Sequence, residues 1–190
     1  MSAPASLGGW IAEAARFGRR HVGTLGLFAT VFLAVQVWQI RNVDSGPLPA
    51  AALDAPLPVL SPDGSQRTSS LRHEIATLQA RYPGRNIGLY VWADWCPICS
   101  TIRGTVDGVA QDHPVLTVAM QSGAPDKVAR HLAAKGIAWH TVVDSGSVIP
   151  GALGFGGVPA FAVITPQGSL RWPTLGLSTS WGLRLRLLLA

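Results

Sequence analysis

The chain has 190 residues, enough for one domain with its own core and a further segment. A hydrophobic content of 48% and a mean hydropathy of +0.29 are high for a soluble protein, so a local cause is to be sought. The net charge of +5 does not point to nucleic acid. Residues 1–41 carry four Arg and one Glu, or +3; residues 42–190 carry eleven Lys and Arg against nine Asp and Glu, or +2, with no basic run interleaved with aromatics. No nucleic-acid partner is expected.

The local cause is Val22 to Ile40, nineteen residues without a charge. As a helix this run measures about 28 Å, close to the hydrocarbon thickness of a bilayer. Trp38 suits the lipid–water interface. Arg16, Arg19, Arg20 and His21 precede the run, and Arg41 and Asp44 follow it. The positive-inside rule therefore keeps the N-terminus in the cytoplasm and exports the rest. A cleaved signal peptide has a shorter apolar stretch and an early small-residue cleavage site, whereas Ala50-Ala51-Ala52 comes ten residues after the run. The Arg19-Arg20 pair lacks the surroundings of a twin-arginine signal, and a buried core helix would carry a polar face. The expected layout is a cytoplasmic N-terminus at 1–21, a transmembrane helix at 22–40, a linker at 41–56 and a globular domain at 57–190. The linker, rich in Pro and Gly, reads as an extended tether.

A short hairpin is expected next, with Val59-Leu60 before a turn at Asp63-Gly64. Ser69 or Ser70 can cap a helix to about Ala80 that has Leu71, Ile75 and Leu78 on one face. Ile87–Trp92 is a near-continuous apolar run, as a strand buried on both faces requires. It leads into Ala93-Asp94-Trp95-Cys96-Pro97-Ile98-Cys99 and a helix to Ala110. Val115–Met120 is a second buried strand, and Pro125–Lys135 is a helix stopped by Gly136. Trp139–Val143 is a further strand. Ala160–Thr165 and Ser169–Trp172 form a hairpin around Pro166-Gln167-Gly168, and Ser178, Thr179 or Ser180 caps a last helix to Ala190. The fold class is α/β, a mixed sheet with helices on both faces.

Only two cysteines occur, three positions apart. A zinc site needs about four ligands, and no second pair exists. The histidines at 21, 73, 113, 131 and 140 are scattered, and the last four read as exposed or incidental. Neither a metal ligand set nor a cofactor is expected. Placement makes the redox reading strong. Cys96 stands where a buried strand ends and a helix begins, so unpaired N–H groups and the positive dipole end favour its thiolate. Pro97 fits the first helical turn. Cys99, one turn on, can close a disulfide with Cys96, one sulfur attacking and the other resolving. Far along the chain, Phe155-Gly156-Gly157-Val158-Pro159-Ala160 precedes an apolar strand, where proline is permitted on ordinary grounds.

Together WADWCPIC and GGVPAF resemble the thioredoxin-like superfamily over about residues 57–190. LTVAMQSG, DKVARHLAAKG and STSWGLRLRLLLA narrow the resemblance to membrane-anchored periplasmic proteins of the suppressor-of-copper-sensitivity D type, akin to the TlpA group. The resemblance implies a protein disulfide oxidoreductase in which Cys96 is the nucleophile and Cys99 the resolving cysteine. It implies a cis Pro159 against the sulfurs, Val158 offering backbone groups to substrate, and Trp95, Pro97 and Trp92 around the site; Trp92 also reads as aromatic packing. It implies a single span in a bacterial inner membrane, a periplasmic domain, protein disulfide or dithiol substrates and a membrane electron donor that recharges the pair. Its direction would be reductive, in protection against copper or oxidative stress. Two positions depart from the pattern: Tyr90 stands where thioredoxins keep a buried aspartate, and Val158 where reductive relatives often carry threonine or isoleucine. Asp94 is a weak substitute for that aspartate. Two other uses of the pair remain open. One is a Cu(I)-binding protein using two soft thiolates; the other is a cytochrome c maturation thioredoxin acting on a haem-attachment CxxCH.

Overall fold

A computed structural model describes residues 22–190 except Leu25, Phe32, Gln39 and Asp44. The chain divides into two compact units, Met1–Trp38 and Gln39–Ala190. In the first, residues 22–24, 26–31 and 33–38 are helical, and Leu27, Phe28, Leu33 and Trp38 are exposed. Among the described residues no helix is long and apolar enough to cross a membrane. The expected cytoplasmic N-terminus, 1–21, lies outside the described residues, as do Leu25, Phe32 and Gln39 of the expected span and Asp44 beyond it.

The second unit begins with helix α1 (Ala50–Leu53), then strands β1 (Leu57–Leu60) and β2 (Gln66–Ser69) and helix α2 (Leu71–Arg81). Strand β3 (Ile87–Trp92), helix α3 (Pro97–Ala110), strand β4 (Val115–Met120), helix α4 (Pro125–Ala134) and strand β5 (Thr141–Asp144) follow. The chain closes with helix α5 (Val148–Ala152), strands β6 (Ala160–Ile164) and β7 (Leu170–Leu175), and helix α6 (Ser180–Leu189). The seven strands form one sheet in the order β2-β1-β5-β4-β3-β6-β7. The β3–β4 and β4–β5 pairs are parallel, and every other pair is antiparallel.

The central strands are buried on both faces because each face carries its own core. Side chains alternate across a strand, so β3 sends Ile87, Leu89 and Val91 to one side and Tyr90 and Trp92 to the other. On the first side they meet Ala52 of α1, Leu71 and Ile75 of α2, and Ile149 of α5. On the second they meet Cys99, Ile102, Val106 and Val109 of α3, Val128 and Leu132 of α4, and Leu183 and Leu187 of α6. Gly88 is required where β3 passes β6: an added Cβ would come within 2.9 Å of the Phe161 ring.

The caps are local chemistry. Ser70 Oγ accepts from His73 N at 3.3 Å to start α2, and Thr179 Oγ1 accepts from Gly182 N at 3.1 Å to start α6. Gly136, at φ +63°, follows α4 in the left-handed conformation that glycine adopts without strain.

Three details differ from the sequence reading. Part of the expected linker is docked rather than extended: Val43, Leu48 and Ala52 are buried in the first core. Leu170 N donates to Gly46 O at 2.7 Å, and an added Cβ at Gly154 would overlap the Asn42 carbonyl. The third strand of the central group begins at Thr141, leaving Trp139 and His140 ahead of it. Strand β7 runs on through Pro173 to Leu175, which an edge strand tolerates because its outer N–H groups need no partner.

Candidate functional site

Strand β3 ends at Trp92, and a four-residue turn delivers Cys96 to the start of α3. Cys96 is the N-cap, in extended conformation at φ −87° and ψ 109°, and its Sγ accepts from Cys99 N at 3.1 Å. This sulfur occupies the place an N-cap oxygen usually takes, so a first-turn N–H is aimed at it. Pro97 fills the first helical position, where no N–H is missed. Cys96 and Cys99 are joined in a disulfide with their Cα atoms 5.3 Å apart, and both are buried at 4% exposure.

The turn is held from the loop after β4, and sequence reasoning did not assign these residues a role. Ser122, fully buried, accepts from Asp94 N at 3.0 Å and donates to Met120 O at 3.0 Å. Trp95 Nε1 donates to Gln121 O at 3.0 Å, with Gln121 itself in the left-handed region at φ 48°. Lys127 Nζ lies 2.6 Å from Asp94 Oδ2. Asp94, considered as a substitute for the missing aspartate, is thus engaged with a lysine. The signal available in sequence was the QSG run directly after a buried strand, which the topology brings beside the turn.

The Val158–Pro159 peptide is cis. Pro159 is buried and its carbonyl accepts from Gly176 N at 2.8 Å. It immediately precedes Ala160, which pairs with Val91, so this loop lies at the end of β3 that leads to Cys96. Around the buried disulfide the outer surface is apolar: Trp95 and Ile98 are 56% and 44% exposed, Pro97 is exposed and Val158 is half-buried.

Behind the disulfide the second core turns aromatic and polar. Trp92 is buried, donates from Nε1 to Thr117 Oγ1 at 3.3 Å, and packs edge-on against Trp139 with ring centroids 5.5 Å apart. Trp92 is therefore a packing residue. Tyr90 also meets Trp139 edge-on, at 5.6 Å, and its buried hydroxyl has no hydrogen-bond partner among the described residues. Burial, and then the charge of Asp107, push that hydroxyl above its ordinary value. His140 is not incidental: its Nε2 lies 2.6 Å from Oε2 of the buried Glu74. Among the described residues no three metal-ligating side chains gather in one place.

No protein-family model matches the chain. A curated "thioredoxin-like protein" of Haemophilus influenzae is 27% identical over 103 residues, which cover 54% of this chain and 61% of that protein. Among solved structures, MTB dsbF, determined in mixed oxidised and reduced forms, superposes with a TM-score of 0.54 at 20% identity, covering 74% of this chain and 97% of that one. The exposed lipoprotein thioredoxin of Streptococcus pneumoniae strain TIGR4 gives 0.54 at 21% identity, covering 70% and 98%. StoA of Bacillus subtilis gives 0.50 at 17% identity, covering 70% and 97%. The sheet and its flanking helices have the thioredoxin-like fold, and the chain carries a Cys-x-x-Cys pair, Cys96 and Cys99.

Proposed function

We propose that the chain is a thiol–disulfide exchange protein acting on protein substrates outside the cytoplasm through Cys96 and Cys99. One observation carries this reading: the only two cysteines form a disulfide whose first sulfur caps a helix at the end of a thioredoxin-like central strand. In the reductive direction the Cys96 thiolate attacks a substrate disulfide and forms a mixed disulfide, and one substrate sulfur leaves as a thiolate. Cys99 then attacks Cys96, the substrate is released as a dithiol, and the pair is left oxidised. The cap favours negative charge on Cys96, which suits it to attack; Cys99, one turn inside the helix, resolves.

Trp95, Pro97, Val158 and Pro159 are assigned to substrate contact. The exposed apolar rim formed by Trp95, Pro97 and Ile98 fits an extended polypeptide, with Val158 offering backbone groups as an added strand would use them. The charge-free run 22–40 anchors the domain in a bacterial inner membrane with residues 57–190 in the periplasm, where a membrane electron donor recharges the pair. The physiological direction is reductive, and copper or oxidative damage supplies the substrate disulfides. The test is the reduction potential of the pair measured against glutathione. A value below about −200 mV, in the range of the reductive thioredoxin-like proteins, is expected; one near −120 mV, as in a strong oxidant, would reverse the direction. Tight stoichiometric Cu(I) binding by the reduced protein without exchange would replace the reading.

A further inference from the structure

Cys99 borders a half-open cavity of about 160 Å³ lined by Tyr90, Trp92, Cys99, Arg103, His131 and Lys135, among others. About 10–15 Å³ of such volume is enough to admit a water, so this space has room for several. Tyr90, 1% exposed, lines this cavity, and its buried hydroxyl has no partner among the described residues. Such a group costs stability unless water or a ligand satisfies it. The cavity adjoins Cys99, the residue whose thiol must lose a proton before it can resolve a mixed disulfide, and no carboxylate lines it.

We propose that this cavity is the proton route of the resolving step, with His131 taking the Cys99 proton through water held by the Tyr90 hydroxyl. The inference rests on the exchange reading above and assigns its missing base. In the step, Cys99 Sγ passes its proton through cavity water to the His131 imidazole, which becomes imidazolium. The Cys99 thiolate attacks Cys96 Sγ, the Cys96–Cys99 bond forms, and the substrate–Cys96 bond breaks with its electron pair leaving on the substrate sulfur.

The other charged neighbours are accounted for. Arg103 of α3 and Lys135 at the end of α4 are cations that favour a thiolate but accept no proton. Asp107 of α3 is engaged, accepting from Trp139 Nε1 at 2.7 Å with Arg103 Nε at 4.0 Å. Tyr90, held neutral by burial, is a positioning residue. His131 sits on α4, half-buried, with its ring 5.7 Å from that of Trp92 and tilted by 33°. It is the one lining side chain with a ring nitrogen lone pair able to accept a proton.

The experiment separates the two sulfurs. The full-length protein is reduced and mixed with an excess of an aryl disulfide that releases a coloured thiolate. The first release depends on reagent concentration and reports attack by Cys96. The second, independent of concentration, reports displacement by Cys99. In the parent the second rate should rise with pH as the base in the cavity becomes free to accept the Cys99 proton. In His131→Gln the first phase should be unchanged, and the second at least about tenfold slower at pH 7, with its rise displaced to higher pH. Tyr90→Phe should slow the second phase while keeping the parent's pH profile, and added imidazole should restore the second phase to His131→Ala. Arg130→Gln, which changes an exposed charge on the same helix, controls for general electrostatics. A second phase in His131→Gln with the parent's rate and pH profile would overturn the proton route and leave exchange intact. A parent with no concentration-independent second phase would overturn the exchange mechanism itself.

Discussion

Cys96 owes its position to residues that carry no sulfur. The turn between β3 and α3 has no regular hydrogen-bond ladder, so Asp94 N–H must find a partner elsewhere, and Ser122 supplies it from the next strand's loop. Ser122→Ala removes the acceptor of that part-buried N–H, at a cost of about 1–3 kcal/mol. Urea denaturation of the oxidised protein should show this loss as a lower midpoint with an unchanged slope. An unchanged midpoint would mean that the turn is held by Trp95–Gln121 and Asp94–Lys127 alone. This residue was visible in sequence only as part of a QSG run. Its role depends on β4 lying beside β3, which no local pattern states.

Between elements, the buried Glu74 ties α2 to both β2 and the approach to β5. Its Oε2 lies 2.6 Å from Arg67 Nη2 and 2.6 Å from His140 Nε2. Burial pushes its carboxyl upward, but the hydrogen bond and charge of His140 and the charge of Arg67 outweigh it, leaving the group below its usual value of 4.5. A carboxyl depressed in the folded state contributes stability that is complete above its unfolded value and is lost as pH falls through the folded one. Stability should therefore decline below about pH 4.5 in the parent. In Glu74→Gln that acid decline should be flatter, with stability at neutral pH about 2–4 kcal/mol lower because His140 and Arg67 lose their shared partner. Urea midpoints from pH 7 to pH 3 measure both. Parallel curves for the two proteins would remove Glu74 from the account.

At the scale of the molecule, the sequence was most legible where one pattern decides one element. The apolar runs at 87–92 and 115–120 became β3 and β4, and the serine and threonine caps became the starts of α2 and α6. What escaped depends on partners remote in the chain. Helix α5 starts after Ser147 at φ 58° and is held by Asp144, whose carboxylate oxygens accept from Val148 N at 2.9 Å and Ile149 N at 2.7 Å. No periodicity marks five such residues. The linker looked like a tether because proline and glycine recur in it without periodicity, yet Val43, Leu48 and Ala52 are enough to seat it. In the site, the cysteines and the proline loop were legible from motif, whereas the cavity behind Cys99 is assembled from β3, α3, α4 and the segment before β5, and only the fold brings them together.

The division of labour between the two sulfurs is the claim on which the rest depends, and trapping tests it most directly. Cys99→Ser removes the resolving thiol, so an extracytoplasmic extract exposed to the reduced variant should yield dithiothreitol-sensitive adducts joined through Cys96. Cys96→Ser should yield none. Adducts that form through Cys99 in Cys96→Ser, with none in Cys99→Ser, would contradict the assignment of attack to the helix-capping sulfur.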